Sequence, residues 1–230
     1  MGEKQQGTQH PGRFIAPSAA EKITCGVRLK VLDYKSKCLS LNQVPVHLLA
    51  TMGQMVHHGF ASWQPDDPGI ERIKRLQELI ERMQLSGYLE PCELDQSFEA
   101  FWNYIITSYQ VLRVYKELPV LEVAAKSGTV TSGIADLVLE TANGLVLVDH
   151  KTFPGHFDLL LSADHDQFAG KHASQLQTYK QLLEKATEKP VTGMLLHYVM
   201  QGRLVEVRVN QGVKTKQRER QAALVQLTLW

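Results

Sequence analysis

Asn143-Gly144 stands between two apolar runs, Thr129–Thr141 and Leu145–Thr152. Asn-Gly between alternating strands is the strongest short-range signal for a β-hairpin, because both residues tolerate the positive φ of a tight turn. A two-residue loop at this dipeptide sets Ala142 against Leu145 and, further along, Asp136 against Lys151. Asp149 then falls opposite Val138, one diagonal step from Asp136. Side chains alternate along a strand, so Asp136, Asp149 and Lys151 share a face. Ile134, Val138, Leu145 and Leu147 share it too, which puts the three charges at the end of an apolar row. Diagonal neighbours lie about 7–8 Å apart at the backbone, within reach of one shared ligand.

Two readings account for these charges. One is a cross-strand Asp136–Lys151 ion pair on a solvated face. The other is a cation site for phosphodiester chemistry: two carboxylates bind hard cations such as Mg²⁺ through oxygen, and the His150 carbonyl can add a ligand. Such an ion lowers the pKa of a water and offsets phosphate charge, while Lys151 can orient that water or stabilise the transition state. In this reading Gly133 lets a nucleic-acid backbone come close.

The flanking sequence supplies helices. Apolar residues recur at helical spacing from Pro45 to Trp63 (Leu49, Met52, Val56, Phe60, Trp63). A second helix starts at Asp67-Pro68 and runs to Ser86 with Gly87 as its stop, and a third covers Leu94 to Leu112. Val27–Val31 reads as a short strand, Val114–Val123 as a longer one, and Val191–Met200 and Arg203–Val209 as closing strands around Gln201-Gly202. Between them a helix from Ala169 to Ala186 carries Leu176, Tyr179, Leu183 and Ala186 on one stripe. The order predicts an α/β fold, a small mixed sheet flanked by helices.

Two helices carry further candidates. His57 lies one turn after Gly53 beside the Val56–Phe60 stripe, whereas His58 shares a solvated face with Thr51, Gln54 and Ser62. His57 reads either as a metal ligand or as a partly buried histidine with a backbone partner. Gln175 and Tyr179 are four apart and point the same way. Either they hold Lys151, a water or a phosphate, or Tyr179 is core and Gln175 surface.

The 230 residues suffice for one domain: residues 1–16 as a disordered lead-in, then a single unit over 17–230, with a helical part at 45–112 and a catalytic core at 113–209. With 25 Lys and Arg against 24 Asp and Glu, net charge does not argue for nucleic-acid binding, so any such contact is local. Cys25, Cys38 and Cys92 form no CxxC pair, which speaks against a zinc or iron–sulfur cage and against a disulfide framework. No segment approaches the roughly 18 apolar residues of a membrane helix, and Met1–Gly12 lacks the apolar core of a secretion signal. The expected location is cytoplasmic, with no membrane partner.

Gly53-x-x-x-His57, Glu117-x-Pro119, Gly133-Ile-Ala-Asp136, Asp149-His-Lys151 and Gln175-x-x-x-Tyr179 follow one another in this order. The series resembles the C-terminal nuclease domain of bacterial RecB- and AddA-type helicase–nucleases, members of the PD-(D/E)XK superfamily. The run VDHKTFPG from Val148 looks like UvrD/Rep-type helicase proteins that carry this nuclease, and the resemblance extends from Pro17 to Val209. It implies a restriction-endonuclease-like core and Mg²⁺ (with Mn²⁺ as a substitute) held by His57, Asp136, Asp149 and the His150 carbonyl. It further implies Lys151 as the catalytic lysine, with Gln175 and Tyr179 supporting. Glu117 matches an acidic position whose role is open between catalytic and structural. The implied substrate is DNA, single-stranded ends above all, fed by a UvrD/Rep-type helicase during double-strand-break repair and recombination. No G-x-x-x-x-G-K-[ST] loop occurs, so that motor is expected on a longer parent chain or on a partner. A nuclease fold retired to DNA binding or subunit contact is the alternative. Lys171, Lys214, Lys216, Arg218 and Arg220 either line a DNA path or form an ordinary solvated surface.

Overall fold

The computed structural model describes residues 14–19, 26–39, 44–123, 129–153, 155, 157–158 and 166–209, with side chains from 172 onward in the last stretch. The apolar spacing after Pro45 becomes a 3₁₀ turn at Val46–Leu48 and helix α1 (Leu49–Ser62), which buries Met52, Met55, Val56, Gly59 and Phe60. Two further helices follow, α2 (Gly69–Arg82) and α3 (Pro91–Tyr109). Pro91 opens α3, where a missing N–H costs nothing, and Gln110 closes it in the left-handed region at φ 47°.

One buried ion pair pins these helices together. Arg72 of α2 donates through Nε and Nη2 to both oxygens of Asp95 on α3, at 2.9 and 3.2 Å. The Trp63 indole N–H donates to the same carboxylate at 2.7 Å, and the Arg72 guanidinium lies 4.8 Å from the Trp63 ring. A buried carboxylate needs this many donors to offset its lost hydration. Lys116 donates to the Phe60 and Trp63 carbonyls and so caps the C-terminus of α1.

The strands are β1 (Phe14–Ile15), β2 (Val27–Lys35), β3 (Arg113–Val123), β4 (Val130–Thr141), β5 (Gly144–Lys151), β6 (Val191–Tyr198) and β7 (Arg203–Val209). They form one mixed sheet in the order β1-β4-β5-β6-β7-β2, with β3 also on β4. β5 and β6 are parallel, joined through α4 (Asp166–Thr187). Because β3 pairs along β4 from Glu140 to Val130, β1 and β5 divide the other edge of β4 between them. Phe14 and Ile15, within the expected lead-in, thus belong to the sheet.

Alternation sorts the sheet's side chains into two cores. Leu137, Leu139, Val146, Val148 and Leu195 pack with α1–α3, and Val138, Leu145, Leu147 and Leu196 pack with α4. β5 is therefore buried on both faces. On α4 the buried stripe runs through Leu176, Tyr179, Leu182 and Leu183, and Ala186, expected there, is exposed in the last turn.

The hairpin differs from its expected register. Thr141 pairs with Gly144 and Leu137 with Val148, so the loop is Ala142-Asn143 and Gly144 begins β5. Of the turn residues only Gly144 takes positive φ, 129°, and Thr141 Oγ1 accepts from the Asn143 N–H at 3.2 Å inside the turn. The slip moves every partner by two residues, so the paired side chains from Leu137 to Thr141 keep their faces, and the register brings Asp136 level with Asp149 instead of Lys151. A Cβ on Gly144 would lie 2.2 Å from the Pro190 carbonyl oxygen. Gly144→Ala is expected to cost about 2–3 kcal/mol from strained φ and this clash, read as a lower urea midpoint at unchanged slope.

Candidate active site

The site forms where two ladders are interrupted. The β4–β5 ladder ends at Leu137↔Val148, just short of Asp136 and Asp149. The β3–β4 ladder pairs Lys116 with Leu137 and Leu118 with Ala135, skipping Glu117 and Asp136. Glu117 has φ 49°, a conformation rarely held by a non-glycine residue without local support. Tyr115 and Leu118 pack into the same α4-side core, as do Ala135 and Val138. A spacing of three where the strand period is two means that both strands step out of phase at this level. Beyond the step, Ile134, Leu121 and Val123 turn outward at 53, 65 and 55% exposure. Ile134 accordingly is no part of the apolar row expected of it.

The chain gathers its chemistry at this irregularity. Asp136 Oδ2 accepts the His150 amide N–H at 2.8 Å and lies 3.4 Å from His57 Nδ1. His57, Glu117 and Asp136 offer ligand atoms that all lie within 4.8 Å of one another. Asp149 is buried on β5; its Oδ2 touches Lys151 Nζ at 2.5 Å yet makes no hydrogen bond of normal geometry. Lys151 Nζ also donates to Gln175 Oε1 at 3.3 Å, which tethers it to α4. The Tyr179 hydroxyl donates to the Ile134 carbonyl at 2.7 Å and clamps α4 onto β4. A Cβ on Gly133 would lie 2.8 Å from both that hydroxyl and Pro17 Cδ, so the glycine makes room for the protein's own atoms, not for a nucleic-acid backbone. Gly53 similarly faces Thr152 Oγ1 at 3.1 Å, which brings α1 and His57 against the end of β5.

The electrostatics follow from this crowding. Burial pushes the Asp149 carboxyl up, and Asp136 adds to the shift while Lys151 opposes it. Burial and Asp136 likewise raise Glu117. Burial would lower His57, but its hydrogen bond to Asp136 and the charges of Asp136 and Asp149 win, and its pKa rises. Burial raises Tyr179 to about 12, so it is a neutral donor at physiological pH. Two carboxyls whose pKa burial raises, with Asp136 adding to the shift, beside a raised histidine and a buried carboxylate oxygen short of donors, form a donor set that a divalent cation would satisfy. His57, Glu117, Asp136 and Asp149 are the residues able to hold it.

Of the expected site residues, the structure brings His57, Asp136, Asp149, Lys151 and Gln175 together, and Tyr179 meets them through β4. Glu117, whose role the sequence left open, joins the cluster. Its partner is set by the β3–β4 register, and the connecting residues 124–129 are too many to fix that register by turn chemistry. The His150 ring is buried at 4.2 Å from the Phe60 ring, and its Nδ1 lies 3.0 Å from His197 Nδ1. His197 had no sequence signal beyond its place in a strand. The side chain of Lys171, and residues 214–220, lie outside the described residues.

A family model for the PD-(D/E)XK nuclease superfamily matches residues 31–228. No curated protein matches the chain. No described helix is long and apolar enough to cross a membrane.

Folding raises the Asp149 pKa above its ordinary 3.8, so the folded chain holds that proton more tightly than the unfolded chain. In EDTA, stability from this group falls as pH rises from about 4 to about 6. The His57 contribution, whose pKa is raised from 6.5, is full below that value and is also lost as pH rises. Asp149→Asn is expected to flatten the acid part of the profile and to stabilise the metal-free protein near neutrality by on the order of 1–2 kcal/mol, measured by urea unfolding from pH 4 to 8.

Proposed function

We propose that this chain, which belongs to the PD-(D/E)XK nuclease superfamily, is a metal-dependent nuclease that hydrolyses DNA with Asp136, Asp149 and Lys151 at its centre. The observation that carries the reading is the Asp149–Lys151 pair on a strand buried on both faces, with Asp136 level with it and His57 and Glu117 alongside. A solvated cross-strand ion pair would not sit where both carboxylates lose their hydration. Mg²⁺ suits the oxygen donors, and His57 makes Mn²⁺ an acceptable substitute.

When bound, a divalent cation supplies Lewis acidity toward the phosphate and makes a nearby water more acidic. The chain does the rest. Asp136, Asp149, His57 and Glu117 would hold the cation, with the His150 carbonyl as a further oxygen. Lys151, fixed by Gln175, orients the attacking water and offsets charge that develops on the phosphate oxygens. Tyr179 keeps β4 and α4 in register so that Lys151 and Asp136 stay at a working separation. Hydrolysis consumes the water and leaves one strand ending in phosphate and the other in hydroxyl.

The finer reading places this activity in a RecB/AddA-type helicase–nuclease acting on single-stranded ends during double-strand-break repair, with the helicase in cis or in trans. Its support is the ordered motif series from Gly53 to Tyr179.

End-labelled single-stranded DNA incubated with Mg²⁺ or EDTA tests the core of the proposal. Cleavage is expected only with metal, and Lys151→Ala or Asp149→Ala should each reduce it about 10²–10³-fold. Cleavage that survives both substitutions would show that the chemistry lies elsewhere. Binding of DNA without any cleavage would favour a retired fold.

A further inference from the structure

An open groove of about 790 Å³ runs between α1 and α2. His58 and Ser62 form its α1 wall, and Arg75, Leu79 and Arg82 its α2 wall. Its α1 wall continues from the acidic cluster along the helix, since His58 directly follows His57. Arg75 and Arg82 are seven residues apart, so they stand on one face of α2, about 10 Å apart along its axis. Arg75 holds Asp67. Arg82 is exposed and has no ion-pair partner among the described residues. Glu78, also in the lining, lies 4.0 Å from Lys74, which offsets its charge.

We propose that this groove binds the phosphodiester backbone of the DNA strand beside the bond to be cut, with Arg82 as its main contact and Arg75 as its second. The proposal rests on the nuclease reading and names the substrate path for that site. Three features select this occupant. Guanidinium groups match phosphate oxygens with two parallel donors, and Arg82 has its fork free. Leu79 and Ala61 give the floor an apolar patch on which a sugar or base can rest. His58 of the groove wall directly follows His57 on α1, so the groove and the cluster share that helix.

The strand's affinity is measured by fluorescence anisotropy with a labelled single-stranded oligonucleotide in EDTA, from about 50 to 200 mM salt, for the intact chain, Arg82→Glu and Arg82→Gln. Arg82→Glu is expected to weaken binding about tenfold or more, and either variant to lower the salt slope by about 0.7, the value for one phosphate contact on a single strand. In Mg²⁺, the loss of kcat/KM on the strand should exceed that on bis(p-nitrophenyl) phosphate, which is too small to reach Arg82, by about tenfold. Affinity and slope equal to those of the intact chain in both folded variants would overturn the groove. Cleavage lost only in Lys151→Ala would then leave the nuclease reading standing. No cleavage of either substrate, with strand binding still dependent on Arg82, would sink the nuclease reading and keep the groove. An intact chain that binds no strand would overturn the groove outright.

Discussion

The His150 amide donates to the Asp136 carboxylate instead of to the β4 backbone. A buried N–H left without an acceptor is costly, so this bond is not optional once β4 and β5 part company. It fastens the first acidic residue to the strand that carries the second acid and the lysine. β6 then holds the same strand from its other side, with His150 paired to His197 and Lys151 to Tyr198. The centre is thus built on main-chain geometry in the middle of the sheet, and the side chains converge because the backbone leaves them little choice.

Much of this was legible in the sequence because its signals are local. Helical spacing from Leu49 to Trp63, Asp67-Pro68 before α2 and the period-two runs of β4 and β5 all depend on neighbours a few residues away. The hairpin was legible as a hairpin, and an error of two residues in pairing left the faces of the paired residues intact, so Asp136, Asp149 and Lys151 still fell close together. What could not be read was the step in strand phase at Glu117 and Asp136. It depends on two strands deviating together, and neither strand alone departs from an ordinary apolar pattern. Ile134 was misplaced for the same reason.

Glycine shows the same limit from another side. Gly144 declared itself through turn chemistry, but Gly133 did not. Its use is to admit Pro17 and the Tyr179 hydroxyl, contacts that join residues more than forty positions apart in sequence and are invisible until the layers are assembled.

Behind the His150 carbonyl, two imidazoles face each other through their Nδ1 atoms, and His197 Nε2 lies 3.4 Å from the Tyr34 hydroxyl. Burial keeps both rings uncharged, lowering His197 to about 3 and His150 well below its ordinary value. Two neutral rings meeting at like atoms can share only one proton between them, so their tautomers are not independent. If His197 carried it, the His150 proton would sit on Nε2, a buried nitrogen that has no acceptor. The proton therefore belongs to His150 Nδ1, and His197, protonated on Nε2, donates to the Tyr34 hydroxyl oxygen. The aromatic interior thus carries a row of aligned dipoles with a fixed polarity, beginning at His150 and set by one buried nitrogen that has no acceptor to donate to.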